Sequence, residues 1–180
     1  MFEIWLRPSL PEAEFSRVSV ELPGSVADHE GYLITGSLFS AYQDLPWIHD
    51  LKVFVRRALK EAIPVGGVCF GHQLIAEAMG GRVALCNQGW AIGKTEYQTS
   101  PDGAEWFGPE PIYALSFHRD QIVALPPGTT PLAGNALCPW AALAYADQAL
   151  SVQFHPEFSP EYIAALIKRN PDGTLVPGTG

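Results

Sequence analysis

The run Gly67-Val68-Cys69-Phe70-Gly71 restricts what this chain can fold into more than any other feature. It is a G-x-C-x-G pattern, preceded by the short apolar run Ile63 to Val68 and followed by the helix formers of CFGHQLIAEAMGG, which end at a Gly80-Gly81 pair suited to a left-handed cap. Strand, sharp turn and helix in that order form a nucleophile elbow, with a thiol where the commoner version carries a serine. The tight turn strains the nucleophile and holds it exposed. Small residues two before and two after it let backbone and helix pass closely, and Gly67 and Gly71 meet that need. The helix N-terminus beyond Cys69 offers free N–H groups and partial positive charge, which favour a thiolate and would gather an oxyanion.

The rest of the chain supplies elements on which such an elbow can sit. GYLITG at 31 to 36 reads as a buried strand ending in a loop at Gly36-Ser37. From Trp47 to Ala62, apolar residues recur at spacings of three and four, which predicts an amphipathic helix stopped by Pro64. Ile112 to Ser116, Ala141 to Ala146 and Leu150 to Phe154 read as strands, and Pro160 opens a last helix through Ile167. Alternation of strands and helices predicts an α/β class with a partly parallel sheet, and the strand-only stretch from 112 to 154 predicts an antiparallel portion. With 180 residues, no repeat and no internal linker, residues 1–180 are expected to form one domain, with residues 170–180 only loosely attached.

Composition narrows the partners. Eleven Lys and Arg against nineteen Asp and Glu give a net charge of −8, which repels a phosphate backbone, so no nucleic-acid ligand is expected. No uninterrupted apolar run is long enough to span a membrane, and MFEIWLRPSLPEAEF is too broken by proline and acid for a signal peptide. Cys69, Cys86 and Cys138 are three in number and widely spaced, which suits neither a disulfide framework nor a zinc site. A reducing compartment, the cytoplasm, is the expected location, with Cys86 and Cys138 as small buried hydrophobes.

A thiol nucleophile needs a base, and the candidates are His29, His49, His72, His118 and His155. His155 stands in SVQFHPEF, where a strand runs out and Pro156 forces an extended step, so that His155 and Glu157 project the same way. Glu157 can then hold one imidazole nitrogen and leave the other for the thiol. His72 sits one helical turn past Cys69, on the wrong side to receive its proton, and is expected to be structural. No second pair at ligand spacing follows Cys69 and His72, so no metal is expected.

The elbow PVGGVCFGHQLIAEAMGG, the earlier YLITGS, the later HRDQIVALPPG and the closing SVQFHPEFSPEY together resemble the class I, or triad, glutamine amidotransferases, in that chain order and at similar spacing. CFGHQ, the G-W-x-I-G stretch at Gly89 to Gly93 and FHPEFSPEY look most like stand-alone, GMP-synthase-like amidotransferases. The resemblance implies a flavodoxin-like fold, a mostly parallel open sheet flanked by helices, with the antiparallel portion noted above. It makes Cys69 the nucleophile, His155 the general base and acid, and Glu157 its orienter. It puts the oxyanion hole at the backbone N–H groups of Gly36, Ser37 and Phe70, and the ends of glutamine at Gln73, Phe117 and His118. No cofactor is implied. The partners implied are a small-molecule substrate, glutamine or a γ-glutamyl compound, and a separate ammonia-accepting protein.

The reaction implied is hydrolysis of the glutamine γ-carboxamide through a Cys69 thioester. A γ-glutamyl peptidase with the same triad is the alternative enzyme, and a catalytically silent interaction module the alternative from another class. The family normally places a strand and helix ahead of YLITGS. Only about 30 residues, rich in proline and acid, stand there, so the first strand is expected to be missing unless MFEIWL substitutes in part.

Overall fold

Residues 1–19, 22–146 and 148–169 are described by the computed structural model. The expected elements recur in place: β1 (Tyr32–Ile34), α2 (Pro46–Lys60), β2 (Val65–Val68), α3 (Phe70–Ala78), β5 (Ile112–His118), β8 (Ala142–Tyr145), β9 (Ala149–Val152) and α5 (Pro160–Arg169). Between them lie β3 (Arg82–Leu85), β4 (Ala91–Thr99), α4 (Pro101–Phe107), β6 (Asp120–Ala124) and β7 (Thr129–Gly134), none of which the sequence announces. The segment expected to fray, 170–180, lies outside the described residues.

Seven strands form one sheet in the order β1-β2-β9-β8-β7-β4-β5. Two of these pairings, β1 with β2 and β2 with β9, are parallel, and the others are antiparallel. The fold is thus the expected α/β sheet with helices and an antiparallel part, though the parallel part is the smaller one. The cause is local. Among strands consecutive in the chain, only β1 and β2 are joined by a crossover, through α2, that leaves them parallel neighbours, whereas the chain between β7 and β9 turns in short reversals that force antiparallel neighbours. A separate antiparallel pair, β3 with β6, stands beside the sheet.

No strand precedes Tyr32 among the described residues. MFEIWL does not substitute for one, because Phe2–Leu6 forms a short helix, α1. Its Phe2 packs on the cluster built from Val68, Cys69, Tyr97, Leu132 and Phe154, on one side of the sheet. The larger core, with Ile48, Val55, Leu74 and Ile75 of α2 and α3 against Val65 and Leu143, occupies the other. The elbow therefore sits on a strand flanked on both sides and packed on both faces, which fixes its position firmly.

Candidate active site

Cys69 joins β2 to α3 at φ 55° and ψ −105°, a conformation that ordinarily requires glycine. The surroundings that enforce it are visible in the neighbouring glycines. A Cβ on Gly71 would stand 2.0 Å from the carbonyl oxygen of Ile34 in β1, and a Cβ on Gly67 would stand 2.6 Å from Ile75 Cδ1 and 2.7 Å from the backbone of Gly71. Helix and strands therefore meet backbone to backbone, as the spacing of the two glycines requires. Cys69 N–H donates to the Val152 carbonyl at 2.9 Å, which ties the strained residue to β9.

The expectation of an exposed nucleophile needs correction, because Cys69 is only 8% exposed. The strain is present, but the loop after β1 and the residues after β9 roof the elbow. At Gly36 a Cβ would lie 3.3 Å from His155 Cε1 and 3.8 Å from Cys69 Cβ. Loop, imidazole and thiol thus converge on one small volume, and a side chain on Gly36 would intrude on it.

His155 reaches this volume through a single β-bridge. Its N–H donates to the Leu115 carbonyl at 2.8 Å, linking the segment after β9 to β5. Nδ1 donates to Glu157 Oε1 at 2.8 Å, with the carboxylate buried, so Nε2 is the nitrogen left for Cys69. Burial by itself would lower the His155 pKa, but hydrogen bonding and charge attraction from Cys69 and Glu157 outweigh it and raise the value to about 9. Phe158 stacks on the imidazole at 3.9 Å, nearly parallel, and fixes the ring plane.

The other histidines separate clearly. His72 is fully buried, with Nδ1 accepting from the Ser151 hydroxyl at 2.7 Å and Nε2 donating to the Trp140 carbonyl at 2.9 Å. Burial lowers its pKa to about 3, so it remains neutral, and with both nitrogens engaged it ties α3 to β9 and to the turn at Trp140 ahead of β8. His118 is also pushed down, to about 4, first by burial and then by the charge of His155, against the hydrogen bond to Asp120. Its Nδ1 donates to the Asp120 carbonyl at 3.1 Å, and its buried Nε2 has no protein partner.

The remaining candidates lie around the same volume. Phe70 begins α3, whose first N–H groups have no partner within the helix. The Ser37 hydroxyl accepts from the Phe39 N–H at 3.2 Å. Gln73 is nearly buried and commits its amide nitrogen to the Asp120 carbonyl at 2.8 Å and to Gln153 Oε1 at 3.1 Å. Phe117 and His118 end β5, two and three residues beyond the bridge to His155. Asp120, Ser40 and Gln153 also belong to this neighbourhood and carry no sequence signal, since their contacts span 47 to 80 positions. Cys86 and Cys138 are free and buried, and burial pushes the Cys138 thiol up to about 12. Among the described residues no group of three or more His, Cys, Asp or Glu could hold a metal ion, and no helix is long and apolar enough to cross a membrane.

A strained cysteine at a strand-to-helix turn, facing a carboxylate-held histidine, places the molecule among α/β proteins built around a thiol elbow. The glutamine amidotransferase structure from Methylobacillus flagellatus has the same fold, with a TM-score of 0.87 and 26% identity over 95% of this chain and 70% of that one. The chain belongs to the class-I glutamine amidotransferase family, whose sequence model matches residues 17–170. Relatives include γ-glutamyl peptidase 4 of Arabidopsis thaliana, 31% identical over 78% of this chain and 59% of the peptidase. Another is the glutamine-hydrolysing GMP synthase of Thermomicrobium roseum, 35% identical over 78% of this chain and 26% of the synthase. The chain thus spans little more than half the length of the first of these and about a quarter of the second.

Proposed function

We propose that this chain hydrolyses γ-glutamyl amides, glutamine first among them, through a thioester on Cys69. The observation that carries the reading is the alignment at one small volume of a strained Cys69, His155 and the His155–Glu157 hydrogen bond of 2.8 Å. The Cys69 sulfur attacks the γ-carboxamide carbon, and N–H groups at Gly36, Ser37 and Phe70 hold the oxyanion. As the C–N bond breaks, His155 gives its proton to the departing nitrogen and ammonia leaves. Water then attacks the thioester, His155 takes its proton, the C–S bond breaks, and glutamate departs with the thiol restored. Glu157 keeps the ring in the tautomer and orientation that both steps use. Gln73 has committed both amide hydrogens and offers its oxygen to the α-amino end of the substrate, beside the backbone of Phe117 and His118.

A second enzymatic reading has its own support. The similarity to the Arabidopsis peptidase favours cleavage of γ-glutamyl peptides by the same residues, with an amine larger than ammonia leaving. An ammonia-delivering chain works with a separate acceptor and should be slow alone, whereas a peptidase carries no such restraint. The test compares glutamate release by the purified chain from glutamine and from a γ-glutamyl dipeptide, with Cys69→Ala as control. Preference for one substrate selects between the readings, and release that survives Cys69→Ala sinks both.

A further inference from the structure

We infer that Asp120 is a positioning residue that holds the Gly36 loop over the nucleophile. Asp120 opens β6 directly after the turn at Arg119, and its place is fixed from outside the site. It pairs with Leu85 across β3, and the Cys86 N–H donates to the Arg119 carbonyl at 2.8 Å. From this frame Asp120 reaches in two directions. Its carbonyl accepts from Gln73 Nε2 at 2.8 Å and from His118 Nδ1 at 3.1 Å, so one oxygen sets two side chains that flank the site. Its carboxylate accepts from the Ser40 hydroxyl and from the Tyr42 hydroxyl at 3.4 Å, one on each oxygen.

The second set of contacts matters because of what else holds the loop. From Ser37 to Gln43 the backbone is irregular, and its other hydrogen bonds among the described residues are local: Phe39 N–H to Ser37, Ser40 N–H to Gln43 Oε1, Gln43 N–H to the Ser40 carbonyl, and Leu45 N–H to the Gln43 carbonyl. Every hydrogen bond from these residues to a distant part of the chain ends on Asp120. Apolar contacts, Phe39 edge-on to Trp47 at 5.4 Å and the buried Ala41, add grip without direction. Gly36 lies at the mouth of this loop, against His155 and Cys69. Oxyanion stabilisation depends on donors fixed to within a few tenths of an ångström before the reaction, so a loop freed from its polar anchor weakens catalysis with the triad untouched.

The inference rests on the proposed function for its kinetic arm and stands apart from it in the other. The variant of choice is Ser40→Ala with Tyr42→Phe, which removes both donors and leaves the Asp120 carbonyl in place. Asp120→Ala and Asp120→Asn accompany it. Amide hydrogen exchange over residues 36–43 should rise about tenfold or more in the double variant and in Asp120→Ala, with exchange in α3 unchanged. For glutamate release, kcat should fall roughly 10- to 100-fold with KM altered less than about threefold, a fraction of the roughly 10²–10³ that loss of an oxyanion donor costs. Ser40→Ala should add little in the Asp120→Ala background, because both act on one link. Asp120→Asn, which keeps an acceptor for Ser40, should recover part of the rate. Iodoacetamide should alkylate Cys69 no more slowly than in wild type, since thiol and base are not moved and a loosened loop only uncovers the sulfur. Unchanged exchange over 36–43, additive losses or a loss confined to KM would overturn the inference. If the wild-type chain releases no glutamate from any γ-glutamyl compound, the proposed function fails, and the exchange measurement still decides whether Asp120 anchors the loop.

Discussion

Cys69 holds a backbone conformation that suits glycine, and the thiol is the only part of it that the proposed chemistry uses. A residue at φ 55° without the freedom of glycine costs about 1–3 kcal/mol, so Cys69→Gly should stabilise the fold by about 1 kcal/mol while abolishing turnover. Cys69→Ala keeps the Cβ and the strain, and should abolish turnover with stability close to wild type. Urea denaturation of both variants beside the wild type checks this, and equal stability of the two would remove the case for strain. His155 and Glu157 differ in the same way between indispensable and supporting. His155→Ala should drop turnover to background, while Glu157→Gln should retain about 10- to 100-fold more activity, because ring geometry survives in part without the carboxylate. Steady-state rates on one substrate decide it, and equal losses would contradict the division of roles. These three residues are legible in the sequence because each signal is local: the flanking glycines for Cys69, the intervening proline for His155 and Glu157. The anchor from Ser40 to Asp120 spans 80 positions, and no local pattern announces it.

Among the elements, those with a regular apolar period are the ones the sequence declares. α2 repeats apolar residues on one face, and β2, β8 and β9 are short, buried apolar runs. β4 is different, since its alternate residues Ile92, Lys94, Glu96 and Gln98 face solvent and Gly93 at φ 97° interrupts it. β7 contains Pro131, which reads as a breaker and is accommodated beside a register shift in the pairing with β8. α4 is short and carries both Pro101 and Gly103, a composition that suggests a turn. Tight contact between elements gives the sharpest prediction at this scale. Gly71→Ala would drive a methyl to 2.0 Å from the Ile34 carbonyl, so α3 and β1 must separate. Thermal melting should report a loss of about 1–3 kcal/mol, as overpacking elsewhere gives, and turnover should fall with it because β1 leads into the Gly36 loop. A stable and fully active Gly71→Ala would contradict the packing described.

For the whole molecule, the histidines set a pH window for stability. His72 and His118 have folded pKa values depressed below 6.5, so their contribution is present above pH 6.5 and is lost as pH falls toward about 4 and 3. His155 is raised, so its contribution is present below pH 6.5 and is lost as pH rises through about 9. The histidine part of the stability should therefore be greatest near pH 6.5 and decline on both sides. Urea midpoints between pH 4 and 9 test this, with His155→Gln flattening the alkaline limb and His72→Gln the acid one; unchanged limbs in either variant would contradict the assignment.

The strand carrying the elbow lies between β1 and β9, the latter formed by residues 149–152. A chain emerging from the ribosome has therefore made its cysteine long before the strand that closes the sheet beside it, and before the imidazole that would arm it. Until β9 and the residues after it are made, the thiol has no imidazole beside it, so the proposed chemistry has no base. Recovery of turnover during refolding should accordingly trail the return of helical signal, because the chemistry waits on contacts between distant parts of the sequence.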